Sequence, residues 1–181
     1  MDTLDAIAAR RSIRLFTDAP VPDEALQSIL KAAAQAPSGK NRQPWRFVIV
    51  RNEKRREMAR VMGEGIARMK ASGEGAGSAA GTVRVMENAP VTVFVFNPDG
   101  LRPWLPHTMD QMFSDLVDIQ SAGAAIQNML LAAQDLGLGS LWICDVFYAY
   151  EELCSWLGED GAMIAAVSFG YSAESPPARP R

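Results

Sequence analysis

Residues 110–144 read DQMFSDLVDIQSAGAAIQNMLLAAQDLGLGSLWIC, and this stretch contains the longest helical pattern of the chain. From residue 110 to residue 136 the apolar side chains recur every three or four positions, which predicts one long and largely buried helix. Small residues at 121–125 would let a second helix approach it closely. Gly137 is of the residue type that most often ends a helix in left-handed backbone. Residues 140–144 have the composition of a strand, so the stretch predicts a long helix followed by a strand.

Shorter patterns on both sides of this pair predict further helices and strands. Helical spacing predicts helices at residues 3–9, 23–33, 58–69 and 151–157, and runs of β-branched and aromatic residues predict strands at 47–50, 91–96 and 163–169. We expect the strand at 47–50 to be buried. Helices and strands are mixed without a strict βαβ alternation. The sequence therefore predicts a single α+β domain over residues 1–181.

The charge balance and the cysteine and histidine content argue against several classes of protein. The chain has 18 Lys and Arg against 21 Asp and Glu, a net charge of −3, whereas nucleic-acid binders normally carry a basic excess. Its two cysteines, Cys144 and Cys154, form no C-x-x-C motif, and His107 is its single histidine. We therefore expect no nucleic-acid partner, no metal site and no Ser-His-Asp triad. We expect His107 to lie at the surface and Cys144 to be a buried strand thiol of low reactivity.

The N-terminus lacks the features of a secretory signal. Asp2 and Asp5 stand where such a signal carries Lys or Arg, and the apolar run that follows is short. No apolar stretch of the chain approaches the ~20 residues of a membrane span. We therefore expect a cytoplasmic protein with free thiols and no membrane association.

Residues 10–14, RRSIR, place three cations and a hydroxyl within five residues. Guanidinium groups bind two phosphate oxygens at once, so this segment suits a phosphate monoester. The alternative is a solvated basic turn at a helix end, where cations favour the helix dipole. The residues alone leave both interpretations open.

Two further segments suggest ligand contacts. Residues 37–45, PSGKNRQPW, cannot form a regular element and could present amides to a planar heteroaromatic ligand. They could equally be a helix-to-strand loop that Trp45 anchors to the core. In the tail, Arg179 and Arg181 flank Pro180 and could point toward one anion, or the end of the chain could simply fray.

Residues 71–82, ASGEGAGSAAGT, contain four glycines and few side chains that could pack. This composition predicts a mobile loop inside the domain, since the core pattern resumes soon after it. Such a loop could be a lid over a bound substrate or a surface insertion without a role.

The four segments RRSIR, PSGKNRQPW, AIQNMLLAAQDLGLGSLWICD and FGY followed by RPR, in this order and at this spacing, resemble the nitroreductase family of flavin enzymes. The likeness spans nearly the whole chain. It implies an α+β homodimer with a mainly antiparallel central sheet flanked by helices and two FMN sites at the interface. It also implies NADH or NADPH as co-substrate.

The resemblance also implies roles for individual residues. By analogy with the family, the FMN phosphate and ribityl chain would be held by Arg10, Arg11, Ser12 and Arg14, with the basic pair Arg179 and Arg181. Pro37, Ser38 and Asn41 would reach the flavin from the neighbouring subunit. Ile143, Cys144 and Asp145 would lie beside the flavin ring near N5. Cys144-Asp145 departs from the family, in which a Glu-Gly or Gly-containing pair is common at this strand end.

The reaction implied by the resemblance is a ping-pong hydride transfer through flavin N5. NAD(P)H would reduce the flavin, which would then reduce a nitroaromatic, a quinone or a related electron-poor acceptor, with no side chain acting as a nucleophile. Two alternatives stay open. One is a different flavin reaction on the same scaffold, such as dehalogenation, flavin breakdown or thiazoline oxidation, and the other is a non-enzymatic FMN-binding or storage protein.

Overall fold

The computed structural model describes residues 1–178, so the predicted basic pair Arg179 and Arg181 lies outside the described residues. The α-helices over this range are α1 (Thr3–Ala9), α2 (Asp23–Ala34), α3 (Lys54–Ala71), α4 (Ala79–Asn88), α5 (Met109–Asp135) and α6 (Tyr150–Leu157). The strands are β1 (Arg46–Arg51), β2 (Val91–Asn97), β3 (Gly139–Ile143) and β4 (Ala162–Gly170), and short 3-10 helices occupy Gly39–Asn41 and Asp145–Ala149.

The four strands form one antiparallel sheet in the order β1-β2-β4-β3. Every residue of β2 is buried, because helices cover both of its faces and strands pair on both of its sides. The expectation of a buried strand at 47–50 is wrong for most of that segment. β1 is an edge strand in which only Val50 is buried, and Ile49 is 41% exposed.

The sheet separates two apolar clusters, and β2 shows how its alternation builds them. Val93 and Val95 join the cluster formed with α2 and α5, whereas Phe94 and Phe96 join the cluster formed with α3, α4 and α6. Successive side chains of a strand point to opposite faces, so one run of apolar residues serves both layers. The fold is therefore a helix-sheet-helix α+β domain, as the sequence predicts.

The long helix α5 begins and ends at clear signals. Thr108 and Gln111 form a capping box at its start, and Gly137 adopts left-handed backbone (φ +75°) just after its end. The predicted close approach at its small residues is made within the same protomer, where Ala122 and Ala125 are fully buried against the cluster that includes α2. The first half of α5 is different, because it leaves Met112 and other apolar side chains exposed.

Residues 71–82 only partly form the loop that the sequence predicts. The non-helical segment is residues 72–78, and α4 begins at Ala79. Ala76 and Ala79 are buried in the core. These small side chains therefore anchor the segment, although the sequence suggests that few of its side chains could pack. Ala79, Val83 and Met86 form the core-facing side of α4. This apolar pattern is short and lies next to four glycines, so the sequence alone does not predict a helix there.

The two ends of the described chain pair beside β3 and β4. The Ile13 amide donates to the Ser140 carbonyl at 3.0 Å, and the Thr17 amide donates to the Tyr171 carbonyl at 2.8 Å. The Ala173 amide in turn donates to the Leu15 carbonyl at 2.9 Å. Residues 12–17 are thereby fixed against the sheet next to the strand that ends at Ile143.

Candidate functional site

A cavity of about 370 Å³ lies at the end of β3, within the size range of small-molecule sites. It brings one residue of the RRSIR segment together with the predicted strand-end residues. Its lining is Arg14, Ser78, Gly81, Thr82, Val85, Leu141, Trp142, Ile143, Cys144 and Asp145. Four of the predicted site residues (Arg14, Ile143, Cys144 and Asp145) therefore meet in one place.

Arg14 presents an exposed cation to this cavity. Its backbone amide donates to Glu174 Oε1 at 2.5 Å, which fixes the main chain, while its guanidinium donates only at 3.4 Å to the Ser12 carbonyl. Within residues 1–178 no carboxylate oxygen lies within 4.0 Å of this guanidinium. The side chain is thus held at its base and has donors available for an anion.

Asp145 supplies the opposite charge on the cavity wall. Its Oδ2 accepts hydrogen bonds from Ser78 Oγ at 3.1 Å and from Thr82 Oγ1 at 2.5 Å. Ser78 immediately precedes α4 and Thr82 lies in its first turn, so the carboxylate ties the start of α4 to the end of β3. A carboxylate at a helix N-terminus is favourably placed, since the helix dipole is positive there.

The contribution of α4 to the cavity is the part that sequence reasoning missed. Ser78, Gly81, Thr82 and Val85 all line it, yet the sequence assigns most of them to a mobile loop. Serine directly before an apolar periodic run is a helix-start signal, and that signal at Ser78 could have revealed α4. Its contact with Asp145 joins residues 67 positions apart and leaves no local pattern.

Cys144 is exposed, not the buried strand thiol that the sequence suggests, because β3 ends one residue before it. Partial burial of the sulfur, reinforced by the charge of Asp145, raises the pKa of the Cys144 thiol. The neutral thiol is therefore the form present near pH 7, and a neutral thiol is a poor nucleophile. The electrostatics agree with the expectation that Cys144 is of low reactivity.

The other residues of the RRSIR segment do not line the cavity. The Arg11 guanidinium donates to the carbonyls of Ala8 (2.7 Å) and Arg10 (2.9 Å). These contacts agree with the alternative that this cation belongs to a basic turn at the end of a helix. The Arg10 amide closes the last turn of α1 by donating to the Ala6 carbonyl. Ser12 is exposed and forms a parallel bridge with Ser140.

The loop at 37–45 lies on α5, and Pro37, Ser38 and Asn41 do not line the cavity of their own protomer. The Gly39 amide donates to Ser121 Oγ at 3.3 Å, and a Cβ at Gly39 would lie 2.4 Å from Val117 Cγ1, so a larger residue there would force Val117 to shift. Asn41 is one of three non-glycine residues in this loop with positive φ, the others being Lys40 and Gln43. Such backbone costs about 1–3 kcal/mol per residue and is typical of functional loops.

An ion pair fixes this loop to the helix. Arg42 donates to Asp118 Oδ1 at 2.6 Å and to Ser114 Oγ at 2.9 Å. The second oxygen of Asp118 accepts from the buried Asn97 side chain at 3.3 Å. Trp45 packs against the α2–α5 cluster, as the anchor interpretation predicts.

A second, mostly apolar cavity of about 800 Å³ lies beside the first. Trp142 and Cys144 line both cavities, and exposed residues of the first half of α5 form much of the second one. His107, which the sequence predicts to lie at the surface, is partly buried. Its side chain is only 13% exposed, lines this cavity and places Nε2 at 3.1 Å from Asp115 Oδ2.

Within residues 1–178, no group of three or more His, Cys, Asp and Glu side chains is arranged to hold a metal ion. Over the same range, no helix has both the length and the apolar character needed to cross a membrane.

Comparison with known proteins gives a consistent picture. The sequence model of the nitroreductase family matches residues 7–171. A relative from Archaeoglobus fulgidus, whose name contains "NADH dehydrogenase/NAD(P)H nitroreductase", is 34% identical over 94% of this chain and 85% of its own length. A nitroreductase with bound FMN from Desulfitobacterium hafniense is 29% identical, with a TM-score of 0.75 over 100% of this chain and 95% of that one. The NADPH:FMN oxidoreductase of Vibrio harveyi, complexed with NAD+, is 27% identical, with a TM-score of 0.76 over 99% of this chain and 72% of that one.

Proposed function

This chain belongs to the nitroreductase family, and from that premise we propose that it binds FMN in the cavity beside β3 and uses NAD(P)H to reduce an electron-poor acceptor. The bound FMN of the Desulfitobacterium nitroreductase and the NAD+ complex of the Vibrio NADPH:FMN oxidoreductase support FMN and NAD(P)H as the cofactors. The acceptors that we propose are nitroaromatics, quinones and related conjugated compounds.

The observation that carries the proposal is the side-chain chemistry of the 370 Å³ cavity. FMN combines an anionic phosphate with a flat, partly apolar ring that has hydrogen-bonding groups on its edge. Arg14 offers a cation for the phosphate, and Val85, Leu141 and Ile143 offer apolar surface for the ring. Ser78, Thr82 and Asp145 offer polar atoms to the ring edge. The residues present therefore fit the group.

The chain's own residues bind and orient, while bound FMN supplies hydride chemistry that no side chain here provides. Arg14, aided by Arg10, Arg11, Ser12, Arg179 and Arg181, is proposed to hold the phosphate end. The segment from Ile143 to Asp145 would border the flavin ring and, with the apolar residues of the cavity, would exclude water from it. No nucleophilic side chain is needed, which agrees with the raised pKa of Cys144.

We propose that two protomers assemble through the first half of α5. Its exposed apolar residues include Met112, Phe113, Leu116 and Ile119, and exposed apolar groups of this kind mark candidate interfaces. The loop at 37–45 is fixed to this same helix by Arg42 and Asp118. Pro37, Ser38 and Asn41 are therefore proposed to reach the cavity of the partner subunit.

The test is flavin content and turnover of the purified protein. We expect about one FMN per subunit and parallel-line, ping-pong kinetics with NADH or NADPH and a quinone or nitroaromatic acceptor.

Arg14→Ala should weaken FMN binding roughly tenfold to a hundredfold, because a charge-assisted contact is worth about 1.5–3 kcal/mol. The matched control is Arg60→Ala on α3, whose cation pairs with Glu64 away from the cavity and whose loss should leave FMN affinity unchanged. Absence of flavin binding, or equal affinities in the two variants, would refute the assignment.

A further inference from the structure

The cavity beside β3 carries one negative side chain, and the structure shows what holds it there. Asp145 lines the cavity and is fixed from the α4 side by the hydroxyls of Ser78 and Thr82. Both hydroxyls donate to the same oxygen, Oδ2. Over the described range, Oδ1 has no hydrogen-bond donor and remains available on the cavity wall.

Arg14 and Asp145 line the same cavity without pairing with each other. In the part of the chain that the structure describes, no ion pair of 4.0 Å or less joins them. A ligand with an anionic end is attracted to Arg14 and repelled by Asp145. An FMN bound here would therefore place its phosphate near Arg14 and its ring on the side of Asp145.

We propose that Asp145 sets the reduction potential of the bound flavin by making it lower. This inference rests on the proposed FMN site. Two-electron reduction by hydride transfer leaves the flavin ring with one more negative charge at neutral pH, and the carboxylate opposes the added charge more strongly than it opposes the neutral oxidised ring. Asp145 is thus a positioning and tuning residue, because it acts on the energy of the ring without taking part in bond making.

The two hydroxyls moderate this effect. Their dipoles point positive hydrogens at Asp145 Oδ2 and so offset part of its field. Removing the charge and removing a hydroxyl should therefore move the potential in opposite directions. This difference in sign separates an electrostatic role of Asp145 from a structural one, since both changes would weaken the attachment of α4 to β3.

The experiment measures the midpoint potential of FMN bound to the holoprotein, by equilibration with reference dyes, in four variants. Asp145→Asn should raise the potential, and the ratio of reduced-FMN to oxidised-FMN affinity should increase about fivefold or more. Thr82→Val should lower the potential, and Asp145→Glu should keep it near the wild-type value. Glu87→Gln is the matched control, because it removes one exposed carboxylate from the other end of α4 and should change nothing.

The outcomes distinguish this inference from the proposed function. If wild-type protein binds FMN and turns over with NAD(P)H, but Asp145→Asn leaves the potential unchanged, only the role of Asp145 is refuted. If Asp145→Asn and Thr82→Val both lower the melting temperature and shift the potential alike, the residue is structural. If Asp145→Asn does not fold, Thr82→Val alone tests the inference. A Thr82→Val protein whose midpoint potential is not lower than that of wild type would then refute it. A wild-type protein that binds no FMN refutes both proposals.

Discussion

At the scale of single residues, Asp118 joins two parts of the protein that are far apart in sequence. It is buried, and it accepts from Arg42 in the loop at 37–45 and from the buried side chain of Asn97 at the end of β2. Asp118→Ala would leave the Asn97 amide without this acceptor, which should cost about 1–3 kcal/mol of unfolding free energy in urea titrations. Glu64→Ala, which breaks an exposed ion pair with Arg60, is the control and should cost less than about 1 kcal/mol. Equal losses in the two variants would contradict a structural role for the buried carboxylate.

The two cysteines should differ in how pH controls their alkylation. Burial raises the pKa of the Cys154 thiol to about 11, and Cys144 is exposed but has a raised pKa through partial burial and the charge of Asp145. A raised pKa means that the reactive thiolate forms only at higher pH. Iodoacetamide should therefore label Cys144 slowly at pH 7 and faster as the pH rises, with Cys154 protected until the protein unfolds.

Mass spectrometry of labelled peptides measures this difference directly. A Cys144→Ser protein is the control, and it should lose the labelling of the folded protein that is seen at high pH. Rapid labelling of Cys144 at pH 7 would show that its thiolate is stabilised and would reopen a chemical role for it.

At the scale of elements, the start of α5 offers a local test of stability. Thr108 Oγ1 accepts from the Gln111 amide, and the Gln111 side chain accepts from the Thr108 amide. Thr108→Ala should therefore lower the unfolding free energy by about 0.5–2 kcal/mol in chemical denaturation. Ser28→Ala in the interior of α2, where the exposed hydroxyl bonds only to the Glu24 carbonyl, should stay within about 0.5 kcal/mol of wild type.

The elements also show what the sequence can predict and why. α5, the glycine after it and β3 are predicted within one or two residues, because their periodicity and their end signal are local. α4 is not predicted, because its alanines and glycines provide little contrast between apolar and polar positions, although Ala79 is fully buried. The cavity is predicted only by resemblance, and Ser78 and Thr82 are missed because long-range packing alone brings them to Asp145.

At the scale of the whole molecule, the exposed apolar half of α5 should control the assembly state. Leu116→Glu puts a charge on this surface and should convert the proposed dimer to monomer, with loss of FMN, because burying an unpaired carboxylate is unfavourable. Sedimentation velocity with detection at the flavin absorbance reports both changes. Ile49→Glu on the edge strand β1 is the control, since it adds the same charge to a different exposed apolar position and should leave the dimer intact. A wild-type monomer that retains its flavin would rule out assembly through α5.

The pairing of the two chain ends beside β3 has a consequence for biosynthesis. The Ala173 amide donates to the Leu15 carbonyl, and Glu174 accepts from the Arg14 amide, so part of the support for the segment that carries this cation comes from the last part of the described chain. A nascent polypeptide on the ribosome has its early residues outside the exit tunnel long before residues 171–174 emerge. Domains are completed in the order of synthesis, and contacts this distant in sequence form last. We therefore expect the flavin to be captured only after residues 171–174 have emerged from the exit tunnel and paired with the early segment.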